Sequence, residues 1–286
     1  MSGALLLDRH EAPVLILNFH RVEPPTGLEI TRLAPARFRT VLDAISTSGL
    51  PVAGRGADPL AAGSRILLTF DDGFESISQH ALPELSGRGW GAIVFLIAGS
   101  VGKNDDWDVR LLGRKRPMMT WNDIKSWAAD GMEFGSHTRS HADLTALSPR
   151  ALRAELADSK SQLEQQLARP VRFLAYPYGR HNAQVRDAVA EAGYAAAFST
   201  GGRLWDGHSP LEIPRVGING MTSLLELRSV IRSEFAQGRG EGMDWRRRWH
   251  GRIFESLNAG SAAVGNWRRA NSRQSHATVP ACATNN

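Results

Sequence analysis

Short apolar runs alternate with amphipathic stretches along this chain, and that alternation restricts the fold more than any other feature. Residues 14–19, 65–70, 92–97, 132–136, 171–176, 194–199 and 212–218 have strand length and little internal polarity, as strands covered on both faces require. Between them lie stretches with helical spacing, at 36–49, 77–87, 120–130, 148–167, 182–192 and 222–235. The clearest helix has Ser148 as N-cap, Pro149 at the first helical position, and Leu152, Leu156, Leu163 and Leu167 on one face. Ser223 and Glu226 have capping-box spacing, and Gly193 suits a helix end. About seven strands with interleaved helices predict an α/β fold, either a barrel or a large open sheet.

In both architectures catalytic groups collect beyond the carboxyl ends of the strands. That rule selects His20, the pair Asp71 and Asp72, His137, and the run Tyr176-Pro177-Tyr178-Gly179. His137 and His141 stand four positions apart and share a face if the segment coils. Asp72, from another strand end, would complete a set of two imidazoles and one carboxylate with open positions for water and substrate. Such a set suits Zn²⁺ or another divalent ion. Each element also has a plainer reading. Paired histidines occur on surfaces, and Asp-Asp-Gly is a common turn. Adjacent carboxylates repel, however, and usually serve a cation or a proton transfer.

Composition narrows the alternatives. The lone cysteine, Cys282, excludes an intramolecular disulfide and a thiolate-rich metal site. The net charge of +5 belongs to the end of the chain, where eight arginines beyond Gln237 face three acidic residues. Residues 1–236 are neutral, which argues against a nucleic-acid partner. A barrel over 1–240 followed by a basic, partly disordered extension over 241–286 is the expected organisation. Trp245, the arginines 246 to 248 and Trp249 mix indoles with cations, a pattern open to two readings, a solvated basic tail or peripheral contact with an acidic membrane surface. No apolar run reaches the roughly 18 residues of a transmembrane helix. The first residues lack the basic start of a signal peptide, so the expected location is the cytoplasm.

Taken together, the motifs resemble the polysaccharide deacetylase family, the NodB-homology group also called carbohydrate esterase family 4. Thr69-Phe70-Asp71-Asp72-Gly73 is similar to its first motif, Gly135-Ser136-His137-Thr138 with His141 to its second, and Tyr176-Pro177-Tyr178-Gly179 to the latter part of its third. Their order over residues 13 to 218 fits as well. The resemblance implies a deformed (β/α) barrel and removal of N-acetyl groups from an amino sugar. It implies one divalent ion, zinc first with Co²⁺, Ni²⁺ or Mn²⁺ as substitutes, held by Asp72, His137 and His141. Asp71 would be the general base, and the Tyr178 backbone N–H, in the turn with Pro177 and Gly179, would hold the oxyanion.

The chain departs from the family pattern at two points. Many relatives carry an arginine where this chain has Ala175, and many carry a late acid histidine in a Leu-x-x-His setting, absent here after Gly220. A branch acting on exopolysaccharides places that histidine just after the first strand, which implies His20 as the general acid. Arg215 is expected to replace the missing arginine by pairing with Asp71. Two rival readings stay open: a deformylase or O-acetyl esterase with the same machinery, and a non-catalytic carbohydrate-binding relative.

Overall fold

In the computed structural model, residues 13–25, 31–60, 63, 65–105, 115–201 and 204–236 are described. The apolar runs become strands and the amphipathic stretches helices, in the order β1 (Leu15–Phe19), β2 (Arg21–Val22), β3 (Arg32–Leu33), α1 (Pro35–Ser46), β4 (Ile66–Phe70), α2 (Leu82–Ser86), β5 (Ala92–Leu96) and α3 (Trp121–Ala129). There follow β6 (Glu133–Ser136), α4 (Pro149–Leu167), β7 (Phe173–Ala175), α5 (Ala183–Glu191), β8 (Ala196–Phe198), β9 (Val216–Gly217) and α6 (Leu224–Ala236). The basic extension lies outside the described residues. Among those described, no helix is long and apolar enough to cross a membrane.

Seven strands form one sheet in the order β8-β7-β6-β5-β4-β1-β9, and all its pairings are parallel. The two ends of the sheet are joined by one segment. Ile213 bridges to Phe198 of β8, and three residues later Val216 begins the pairing with β1. The sheet therefore curls into a deformed barrel. The last strand is shorter than the apolar run predicts, because residues 210–212 turn as a 3₁₀ helix and Pro214 has no N–H for a ladder. The stretch 77–87 also differs from expectation: Ile77–Ala81 is a π-helical turn that runs into α2. Pro83 cannot donate to the residue four before it, so the regular bonding pattern breaks there.

Alternation along the strands sorts their side chains into two cores. Leu15, Leu17, Phe19, Leu68, Phe70, Val94 and Leu174 face the helices, where α4 contributes Leu152, Leu156 and Leu163. Ile16, Leu67, Ile93, Phe95, Phe173, Ala175 and Phe198 fill the interior of the barrel. Each large side chain so buried contributes about 1.5–3 kcal/mol to the driving force.

Trp205 closes the interior from below. Its backbone exchanges two hydrogen bonds of 2.9 Å with Val14 at the start of β1, and its indole N–H donates to the His208 carbonyl. From sequence, Trp205, Asp206 and His208 lie in a loop that could touch sugar but ranks no higher than a solvated one. Trp205 is instead 2% exposed and at the amino end of β1, opposite the strand ends that carry the polar groups.

Candidate metal centre and active site

At the carboxyl ends of the strands the barrel interior changes from apolar to polar. Two residues beyond Ile16 and Leu67, on the same inward face, stand Asn18 and Thr69, and two further on stands Asp71. The chain then turns sharply: Asp72 and Gly73 have φ of 72° and 80°. Aspartate tolerates this left-handed region better than most residues. At Gly73 the positive φ strains any side chain, and a Cβ would also push Leu96 Cδ2 aside from 2.6 Å, so glycine is favoured there. The turn sends consecutive carboxylates to different tasks, Asp71 into the interior and Asp72 toward the histidines.

His137 follows β6 and is buried at 2% exposure. Its Nδ1 lies 2.8 Å from the Ala175 carbonyl, which requires an N–H there and leaves the Nε2 lone pair for a ligand. The next residues are a loop rather than the coil that would align both histidines on a helix face. Thr138 and His141 both have positive φ, at 65° and 59°. Local hydrogen bonds hold this loop: Thr138 N–H donates to Ser136 Oγ at 3.1 Å, and His141 N–H to Thr138 Oγ1 at 3.1 Å. Ser136 in turn donates to the buried Ser159 of α4 at 3.0 Å. The imidazole rings end 4.8 Å apart.

Nε2 of His137 and Nε2 of His141 each lie 3.6 Å from Oδ1 of Asp72. One donor atom from each of the three residues falls within 4.8 Å of the others. Ligands at about 2.0–2.1 Å from a tetrahedral ion are roughly 3.4 Å apart, so this set fits a first-row divalent cation. Burial lowers the pKa of His137, and lowers that of His141 well below the ordinary imidazole value. Both rings are therefore neutral near pH 7, the form that binds metal.

Arg215 reaches Asp71 from β9's side of the barrel. Its Nη1 and Nη2 donate to Oδ1 and Oδ2 of Asp71 at 2.7 Å and 2.9 Å, and its Nε donates to the Ser199 carbonyl at 3.1 Å. The guanidinium is buried against the rings of Phe95 and Phe198, with its Cζ 5.4 Å and 6.0 Å from their centres. Burial pushes the Asp71 carboxyl upward. The Arg215 charge, with His137 and His20 behind it, outweighs that push and holds the group well below the usual carboxylate range. His20, half-buried between β1 and β2, senses Asp71, Arg215 and His137 electrostatically; burial lowers its pKa to about 4.

The motif around Tyr178 forms a 3₁₀ turn, Pro177–Gly179, in which Tyr178 has φ 60° and ψ 10°. The Tyr178 ring packs against His141 with centres 4.7 Å apart. Arg180 donates to Asp143 at 2.9 Å, so an ion pair joins this turn to the histidine loop. Sequence reading assigned no bonding role to Asn18, Thr69, Ser136 or Ser159, although polar residues inside apolar runs or on buried helix faces signal such bonding.

Residues 61–197 match the family model described as polysaccharide deacetylase. This segment, just under half of the chain, is similar to the polysaccharide deacetylase family. YxkH of Bacillus subtilis (strain 168), named as a polysaccharide deacetylase, is 30% identical over 135 residues, which are 47% of this chain and 44% of that protein. A chitin deacetylase of Pestalotiopsis sp is 29% identical over 127 residues, 44% of this chain and 38% of that protein. The chain thus spans less than half the length of these curated relatives. Among solved structures, the Streptococcus pyogenes deacetylase PplD, in complex with acetate, gives a TM-score of 0.66 at 23% identity over 77% of this chain and 98% of that one. IcaB from Ammonifex degensii gives 0.64 at 24% identity, over 78% and 98%. These likenesses establish the fold as the deformed (β/α) barrel of NodB type. Arg215 lies beyond the matched deacetylase segment, so the barrel reaches outside it for the partner of Asp71.

Proposed function

We propose that the protein is a metal-dependent hydrolase that removes N-acetyl groups from an amino sugar within a polysaccharide, an oligosaccharide or its precursor. The observation that carries this reading is the placement of Asp72, His137 and His141 beside an Asp71 clamped by Arg215. The family match to polysaccharide deacetylase supports it. Asp72 Oδ1 and the Nε2 atoms of His137 and His141 would hold the ion, with zinc favoured by the nitrogen-rich donor set. Bound there, a divalent cation supplies Lewis-acid polarisation of the acetamide carbonyl and acidifies the attacking water.

The side chains around that centre divide the remaining work. Asp71 accepts the proton that water loses as its oxygen bonds to the acetyl carbon, and Arg215 keeps the carboxylate ionised and aimed. The Tyr178 N–H, presented by the left-handed turn between Pro177 and Gly179, stabilises the oxyanion. His20 rests neutral, so the proton that Asp71 takes from the water must pass to His20 before His20 gives it to the leaving amine. The C–N bond then breaks, and the products are free amine and acetate.

Acetate release from N-acetylglucosamine oligomers, measured with and without chelator for the wild type and Asp71→Asn, tests the reading. Activity that is abolished by chelator, restored by zinc and lost in Asp71→Asn is the expected result. Chelator-resistant turnover, or full activity of Asp71→Asn, would refute it.

A further inference from the structure

The two oxygens of Asp71 are not equivalent, because Asn18 bonds to only one of them. An ionised carboxylate offers about four lone-pair positions, two on each oxygen. Among the described residues, Oδ2 accepts from Arg215 Nη2 at 2.9 Å and from Asn18 Nδ2 at 2.9 Å. Oδ1 accepts from Arg215 Nη1 alone, at 2.7 Å. Oδ2 is thereby filled, and Oδ1 keeps one lone pair. Building on the deacetylase reading above, we infer that Asn18 is a positioning residue that makes Oδ1 the proton-accepting atom of Asp71.

Arg215 by itself does not create this asymmetry. Its fork gives one donor to each oxygen, and the terminal torsion of an aspartate is broad, so the carboxylate plane is free to rock. Asn18 removes that freedom because its own orientation is fixed. Its Oδ1 accepts from Arg215 Nη1 at 3.1 Å and faces Thr69 Oγ1 at 3.1 Å. Turning the amide over would set its NH₂ against the guanidinium, donor facing donor, and its oxygen against a carboxylate. The residue is 2% exposed and pairs in strand register with Thr69, so its backbone is fixed as well. One amide therefore ties carboxylate and guanidinium together and selects which oxygen meets the water.

Asn18→Leu keeps the size of the side chain and deletes both contacts. Asn18→Asp keeps the acceptor toward Arg215 and deletes the donor to Asp71. For Asn18→Leu, kcat for acetate release from N-acetylglucosamine oligomers is expected to fall by roughly ten- to a hundredfold. KM and zinc affinity by equilibrium dialysis should stay within about twofold, because the Asn18 side chain bonds to Asp71, Thr69 and Arg215 and to none of Asp72, His137 and His141. Asn18→Asp should show the same kcat loss without the loss of the Arg215 contact. A crystal structure of Asn18→Leu should show the Asp71 carboxylate rotated or split between two orientations. Unchanged kcat, or a kcat loss that only follows reduced zinc occupancy or reduced melting temperature, would overturn the assignment. If the wild type releases no acetate, the deacetylase reading fails on its own. The role of Asn18 is then decided by the crystal structure: an unmoved carboxylate overturns it, a reoriented one supports it.

Discussion

Replacing Gly135 with alanine places a methyl group where the barrel interior has no space for it. The new Cβ would lie 2.6 Å from both Cδ1 and Cε1 of Phe95 and 2.9 Å from the Phe173 carbonyl oxygen. Ordinary carbon contacts begin at about 3.5 Å, so nearly 1 Å of movement is needed. The Phe95 ring has nowhere to go, since Phe198 packs on it at 5.2 Å between centres and the Arg215 guanidinium lies 5.4 Å above it. Overpacking of this kind costs about 1–3 kcal/mol. For a domain of this size that lowers the melting temperature by roughly 2–12 °C. The alternative relief is a shift of β6, which carries His137 two residues later and thus weakens zinc binding. Differential scanning fluorimetry with and without zinc reads both effects. Gly54→Ala is the control, because its Cβ would meet nothing nearer than Ala57 Cβ at 4.0 Å. If Gly135→Ala melts with the control and binds zinc as the wild type does, the packing argument is wrong.

Other expectations concern the charged groups. Arg215→Met strands the buried Asp71 carboxylate, a change that costs about 3–5 kcal/mol, and acetate release should fall at least tenfold with it. Unchanged turnover would separate Arg215 from the base. Zinc at about a hundred times its dissociation constant should stabilise the fold by about 2.7 kcal/mol, visible as a rise in melting temperature that His141→Ala removes. A rise of equal size in His141→Ala would place the ion elsewhere. Burial raises the pKa of Glu133 despite the opposing charges of Arg169 and Arg172. A carboxyl raised in the folded state costs stability where it is ionised, and this cost disappears below its unfolded value of about 4.3. Glu133→Gln should therefore melt higher than the wild type at about pH 8 and equally at about pH 4, whereas a gain at acidic pH would contradict the sign.

Much of this architecture is legible in the sequence because strands buried on both faces cannot disguise their apolar runs. Helix α4 shows its N-cap and buried stripe as directly, and Ser223 with Glu226 forms the reciprocal cap that their spacing predicts. The donor triad is legible for a different reason: turns that hold Asp72 and His141 at positive φ depend on short, recognisable residue combinations. What escaped depends on the third dimension. Whether Trp205 meets water or fills the barrel is decided by its backbone pairing with Val14, almost two hundred positions away in the chain. Asn18 sits in an apolar run like any strand residue until the arrival of Arg215 shows what its amide is for. The short β9 reflects Pro214, whose effect on a ladder is readable, set against an apolar run that masks it.

The segment that carries Ile213, Arg215 and Val216 performs two jobs at one stroke. It fastens the two free margins of the sheet to each other, and the side chain between those fastenings brings the positive charge that Asp71 needs. A nascent chain that stops short of this segment holds Asp72, His137 and His141 yet has an unfinished ring and an uncompensated acid. Closure of the ring and charge compensation of the buried Asp71 thus coincide, and a partly made barrel has neither.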